Sequence, residues 1–139
     1  MAVHHHGYVW VGSGSEYGND SQRRPLGTGF GSTSVAPIEP ANWLLKPRKM
    51  IKGTFKDTGP ALEWYSATVR QHLDRFDEKH IKEPGVLDSR LAAAREALEM
   101  ERDVVGGWWG NGGSTFYAIH LIACPNFWRP EHPCPEGLR

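Results

Sequence analysis

The residues best suited to chemistry crowd one stretch, "HLIACPNFWRPEHPC", from His120 to Cys134. It holds both cysteines of the chain. His120, Cys124, His132 and Cys134 offer two imidazoles and two sulfurs, the donor set of a tetrahedral zinc site. The spacing sets a condition on that reading. On an extended strand His120 and Cys124 share a face but stand ~13 Å apart, at about 3.3 Å per residue. Ligands of one zinc lie only about 3–4 Å from each other. A helix would bring residues four apart within about 6 Å between Cβ atoms. Zinc on this set therefore requires the run to be helical, or sharply bent at Ala123. A disulfide between Cys124 and Cys134 is the second reading; it would be worth ~2–3 kcal/mol and needs an oxidising compartment. Two separate reduced thiols are the third, and no cofactor other than that conditional zinc is expected. His120 reads most simply as a hydrogen-bonded histidine on a half-buried strand. The run His4, His5, His6 is a weaker metal candidate, because adjacent residues do not converge on one ion.

A second set of residues is spread along the chain. Arg23 and Arg24 precede Ser32-Thr33-Ser34, and Glu99-Met100-Glu101 follows much later. Arginine, S-T-S and E-x-E in that order resemble the signature of the ADP-ribosyltransferase toxins. The resemblance covers only these short motifs. It implies an arginine and a serine on strands around a nicotinamide cofactor, with Glu101 supporting transfer. Here the E-x-E pair lies in a helical pattern, whereas the family places it before a strand. No G-x-S-x-G elbow, H-E-x-x-H helix or Walker loop occurs. The expectation is a protein that is not an enzyme.

The elements that must position these residues are legible in part. With 139 residues, the chain fits one domain. "GYVWVG" predicts a short strand, with Tyr8 and Trp10 on one face and Val9 and Val11 on the other. The rest of residues 1–45 is rich in Gly, Ser and Pro and has neither helical nor strand period, so it reads as an arm that other molecules hold in place. Residues 46–57 read as a basic linker. Helix follows: Thr58 or Gly59 caps it, Pro60 suits the first turn, and Leu62, Tyr65, Val69, Leu73 and Phe76 form one stripe. "KEPG" stops it. A second helix starts near Asp88, carries Leu87, Leu91, Ala94, Leu98 and Val105 inward, and ends at Gly106 and Gly107. "STFYAIHLIAC" predicts a strand, and the Pro-rich remainder an extended tail. The fold class expected is α+β: an αα-hairpin on a short sheet, residues 58–139 forming the body, with long irregular arms.

Sixteen basic and sixteen acidic side chains leave no net charge, which makes nucleic acid an unexpected partner. No secretory signal is legible, and Val104 to Trp128, though uncharged, is broken by glycines and a proline, so no membrane span is expected. Trp10, Trp43, Trp108, Trp109 and Trp128 lie near Gly or Pro, where large aromatics lock a core or anchor an interface. Arg48 and Lys49, in "KPRKMIKGTFK", could dock on an acidic protein face. These residues point to other protein subunits as partners. The expected function is a structural or accessory subunit of a large assembly, a virus particle ahead of a respiratory or organellar complex, in an intracellular or virion setting. A zinc-stabilised binding module using the C-terminal His/Cys cluster and an ADP-ribosyltransferase-like enzyme are the alternatives.

Overall fold

The computed structural model describes residues 3–138. Four strands, β1 His4–Ser13, β2 Gly53–Phe55, β3 Val104–Gly110 and β4 Thr115–Cys124, form one antiparallel sheet in the order β2-β1-β4-β3. Two one-turn helices, α1 Gly14–Tyr17 and α2 Asp20–Arg23, follow β1; the longer α3 Thr58–His72 and α4 Val86–Glu99 lie between β2 and β3. The fold is α+β.

The long pair β1 and β4 is the spine, in unbroken register from His4 opposite Cys124 to Ser13 opposite Thr115. Cross-strand partners share a face, and faces alternate along each strand. His4, His6, Tyr8 and Trp10 therefore stand on one face with Cys124, Ile122, His120 and Ala118. His5, Gly7 and Val9 stand on the other with Ala123, Leu121 and Ile119.

Helices α3 and α4 cover the face that carries Ile119 and Leu121. Ala61, Tyr65 and Val69 of α3 are buried at four-residue steps, and Leu87, Ala94 and Leu98 of α4 at steps of seven and four. They join Tyr117, Ile119, Leu121 and Trp108 in one apolar cluster. Full burial of a side chain such as Val69 or Ile119 contributes about 1.5–3 kcal/mol relative to exposure. The helix caps differ from those expected. Asp57 precedes α3 and Gly85, at φ 83°, precedes α4, so Asp88 sits inside the first turn.

The pair Gly106–Gly107 does not end a helix. It lies within β3, and α4 has already stopped at Glu99. The reason is a close approach: a Cβ on Gly106 would come within 2.4 Å of the Tyr65 hydroxyl. A strand that must pass directly beneath a tyrosine needs glycine there, at the cost of ordinary strand signals.

The opposite face of the sheet is covered by irregular chain. Residues expected to be an arm held by other molecules pack on their own sheet. Phe30, Val35, Ala36, Trp43 and Leu44 are buried, and most of them join Tyr8, Trp10, Ala118, Ile122, Cys124 and Cys134 in a second cluster. Polar side chains hold this covering. Arg23 donates to the carbonyls of Tyr17 and Ala36 at 3.0 and 2.8 Å. Lys46 is buried, donates to the carbonyls of Phe30 and Thr33 at 2.8 Å each, and is pushed down to about 8 by that burial. "GYVWVG" is only the middle of β1, which takes in all three histidines.

A candidate metal centre

β1 and β4 bring His4 and Cys124 opposite each other, and His6 follows two residues along the same face. The chain then turns away after Cys124 and returns Cys134 to the same spot. Four ligand atoms, one each from His4, His6, Cys124 and Cys134, lie within 4.8 Å of one another, and all four residues are buried. The Nε2 atoms of His4 and His6 are 3.1 Å apart, and the Cys134 sulfur is 3.5 Å from both. A tetrahedral zinc with Zn–N of about 2.0–2.1 Å and Zn–S of about 2.3 Å separates its ligands by roughly 3.3–3.8 Å. The separations of 3.1–3.5 Å among His4, His6 and Cys134 lie near that range, and all four atoms, within 4.8 Å, are compact enough to converge on one ion with small shifts. A two-iron cluster would place the imidazoles and thiolates on different irons, which the 3.5 Å contacts between Cys134 and both histidines do not accommodate.

The surroundings suit a charged ion. His6 Nδ1 lies 2.9 Å from Thr54 Oγ1, and that hydroxyl donates to Glu136. Thr54 is thus left to accept, so His6 Nδ1 carries the proton and Nε2 turns its lone pair toward His4 and Cys134. Such an outer hydrogen bond ending on a carboxylate fixes the tautomer and raises ligand basicity. The hydroxyl of Tyr8 is buried with no hydrogen-bond partner in the chain among the described residues. Burial holds its ionisation well above the usual range, and Cys124, Cys134 and Glu136 push in the same direction. An orphaned donor beside two sulfurs fits thiolates, which are better acceptors than thiols.

The tail is brought back by bonds at short intervals. Asn126 donates to Asp103 at 3.0 Å, and its own Oδ1 accepts from the Trp128 and Arg129 N–H groups. The Arg129 guanidinium pairs with Glu39 at 2.7 and 2.8 Å. His132 bonds Asn42 Oδ1 at 2.9 Å. Asp103 also accepts the Ala123 N–H at 2.8 Å, and its burial raises the carboxyl above the ordinary value despite these two donors.

The metal set read from sequence is half corrected. Cys124 and Cys134 belong to the cluster; His120 and His132 do not. Residues 115–124 form a strand, so His120 stands four positions from Cys124, too far to share an ion. It is buried and accepts a 2.9 Å bond from Trp43 Nε1. Burial, aided by the Arg23 charge, pushes it down to about 4. His132 is committed to Asn42. The missing ligands are His4 and His6. Adjacent histidines do diverge, as expected, and His5 turns to the other face to meet the Arg102 carbonyl at 2.9 Å. Alternate ones converge. The H-x-H spacing at the head of a strand was the signal in the sequence. No disulfide joins Cys124 and Cys134.

Three of the five tryptophans proposed as partner anchors are core residues. Trp10, Trp43 and Trp108 are buried, Trp43 stacked on Tyr8 at 4.6 Å and Trp108 on Phe76 at 4.7 Å. Trp109 and Trp128 are 42% and 67% exposed. Arg48 and Lys49 are exposed in a short helical turn. Of the transferase-like residues, Arg23 lies in α2 and Ser32 in a 3-10 turn, neither on a strand. Glu99 ends α4, and Glu101, at φ 60°, lies in the link to β3, so the pair does precede a strand. Among the described residues no helix is long and apolar enough to cross a membrane.

Searches against protein-family models, curated proteins and solved structures find no match to this chain.

Proposed function

We propose that the chain is a small zinc-stapled α+β module that serves as a structural or accessory partner of other proteins. The observation that carries this reading is the convergence of His4, His6, Cys124 and Cys134 within 4.8 Å in a buried position. Four protein ligands complete a tetrahedron and leave no position for substrate, which is the pattern of structural rather than catalytic zinc. The ion would join the start of β1, the end of β4 and the tail. Tyr8, Thr54 and Glu136 would surround it. Contact with partners falls to exposed apolar side chains, chiefly Phe127, Trp128, Trp109 and Val105. A helical hairpin over the sheet and terminal segments reaching other subunits, as in a virus particle or an organellar complex, belong to this proposal.

Metal analysis of chain purified without an affinity tag tests it. One zinc per chain is expected, with cobalt substitution giving the absorption of a tetrahedral site with two thiolates. Protein that folds without metal and is unchanged by chelator would remove the reading.

A further inference from the structure

β3 is the last strand of the sheet, with β4 on one side only. One pair of bonds fixes which way its backbone points. The Trp109 carbonyl accepts the Asp77 N–H at 2.9 Å, and the Asn111 N–H donates to the Arg75 carbonyl at 3.0 Å. Both partners lie outside the sheet, in a segment that meets β3 through an antiparallel bridge from Phe76 to Gly110. Neighbouring residues of a strand turn their N–H and C=O groups to opposite sides. Register with β4 is unbroken from Val104 opposite Leu121 to Gly110 opposite Thr115. Residues 104, 106, 108 and 110 therefore bond to β4. Val105 and Gly107 turn theirs outward, beyond the reach of residues 75–77, and both residues are exposed.

We infer that this open half of the β3 edge binds an extended peptide segment of another protein as a fifth strand. The chain already uses the other half of the same edge for an extended segment of its own. Two grooves flank the open half. One, of about 340 Å³, lies toward α4 and is walled by Ala93, Ala94 and Ala97. The other, of about 750 Å³, includes Val105 and the exposed Trp128. Asp103 and Val105 line both. Side chains of an added strand alternate between faces, so successive guest residues enter one groove and then the other. Small side chains suit the alanine wall; aromatic or long aliphatic ones suit Val105 and Trp128. A second copy paired antiparallel about Gly106 does not fit. Pairing two β3 edges about Gly106 would set the partner's residues preceding its own β3 opposite Trp109 and Gly110, where residues 75–77 lie. The opening admits only a short free segment.

This inference rests on the reading of the chain as an interaction module, but not on the metal. The probe is an acetylated, amidated hexapeptide in which phenylalanine and alanine alternate between two lysines. It is titrated into the full zinc-loaded chain and followed by amide NMR. The Val105 and Gly107 N–H signals should shift and their exchange should slow about tenfold, while Gly106, already bonded to β4, keeps its rate. The same peptide N-methylated at alternate residues should bind about tenfold more weakly, as should the intact peptide to Val105→Pro, which removes an outward N–H and spares the β4 ladder. Absence of shifts at millimolar peptide, equal binding of the N-methylated peptide, or self-association through these amides would overturn the inference. Zinc content of the same samples keeps the two readings apart: zinc without peptide binding defeats only this one, and peptide binding without zinc defeats only the metal.

Discussion

The two faces of the sheet are covered in opposite ways. On one, α3 and α4 lay regular apolar stripes over Ile119 and Leu121, and the backbone bonds of each cover are satisfied inside the helix. On the other, the cover is chain from residues 14–52, irregular but for short helical turns, and from the tail. Irregular backbone has no internal ladder, so it is pinned point by point: Arg23 and Lys46 to carbonyls, Trp43 to His120, Asn126 to Asp103, His132 to Asn42. A metal held by His4, His6, Cys124 and Cys134 would be one more such pin, buried with the rest. A periodic cover holds by area; an aperiodic one holds by a few directed bonds, each of which can be removed singly.

The comparison breaks most sharply at Cys134, the tail's own ligand in the cluster. Cys134→Ser should abolish stoichiometric zinc and release the tail and residues 30–46 to rapid amide exchange, while α3 and α4 stay protected. Equal loss on both faces, read by hydrogen exchange with mass spectrometry, would show that the faces are not separate. On the helical side, Leu121→Ala should cost about 2–5 kcal/mol in urea unfolding, yet leave one zinc per chain. A fall in zinc content would tie the two faces together.

The smallest effect is a pH dependence. His120 is pushed down to about 4 from 6.5. The unfolded chain therefore binds the proton first, and the folded state loses stability as pH falls from about 6.5 towards 4, by roughly 3 kcal/mol at most. Above that window the contribution is complete; below it nothing more is lost. Acid would also release any bound zinc by protonating its ligands. The His120 share is the difference between wild type and His120→Gln in urea midpoints across that range, and identical curves would refute it.

The same contrast explains what could be read in the sequence. The helical face was legible because periodicity survives in a list of residues: Tyr65, Val69, Leu87, Ala94 and Leu98 all lie where the stripes put them. β4 was legible from its aromatic and β-branched run. β3 was not, since Gly106 beneath Tyr65 and Gly107 against Phe116 look like a helix stop. The irregular face was illegible because its bonds join residues far apart in the chain, such as Trp43 with His120. The metal set fell between these cases. Cys124 and Cys134 stood out by rarity. His4 and His6 carried the H-x-H signal, but joining them to Cys124 needed the register of β1 on β4, which no local pattern encodes.

The pairing of β1 with β4 also dictates an order of events. Every other element of the fold lies between these two strands in sequence, so β1 has to wait for nearly all of them before its main partner exists. Non-local pairing of this kind slows folding. Until then β1 has only the three-residue β2 beside it, and a strand that carries Tyr8, Val9, Trp10 and Val11 beside a bare edge is what a nascent chain most needs shielded. The helices can assemble early; the spine that supports them closes last.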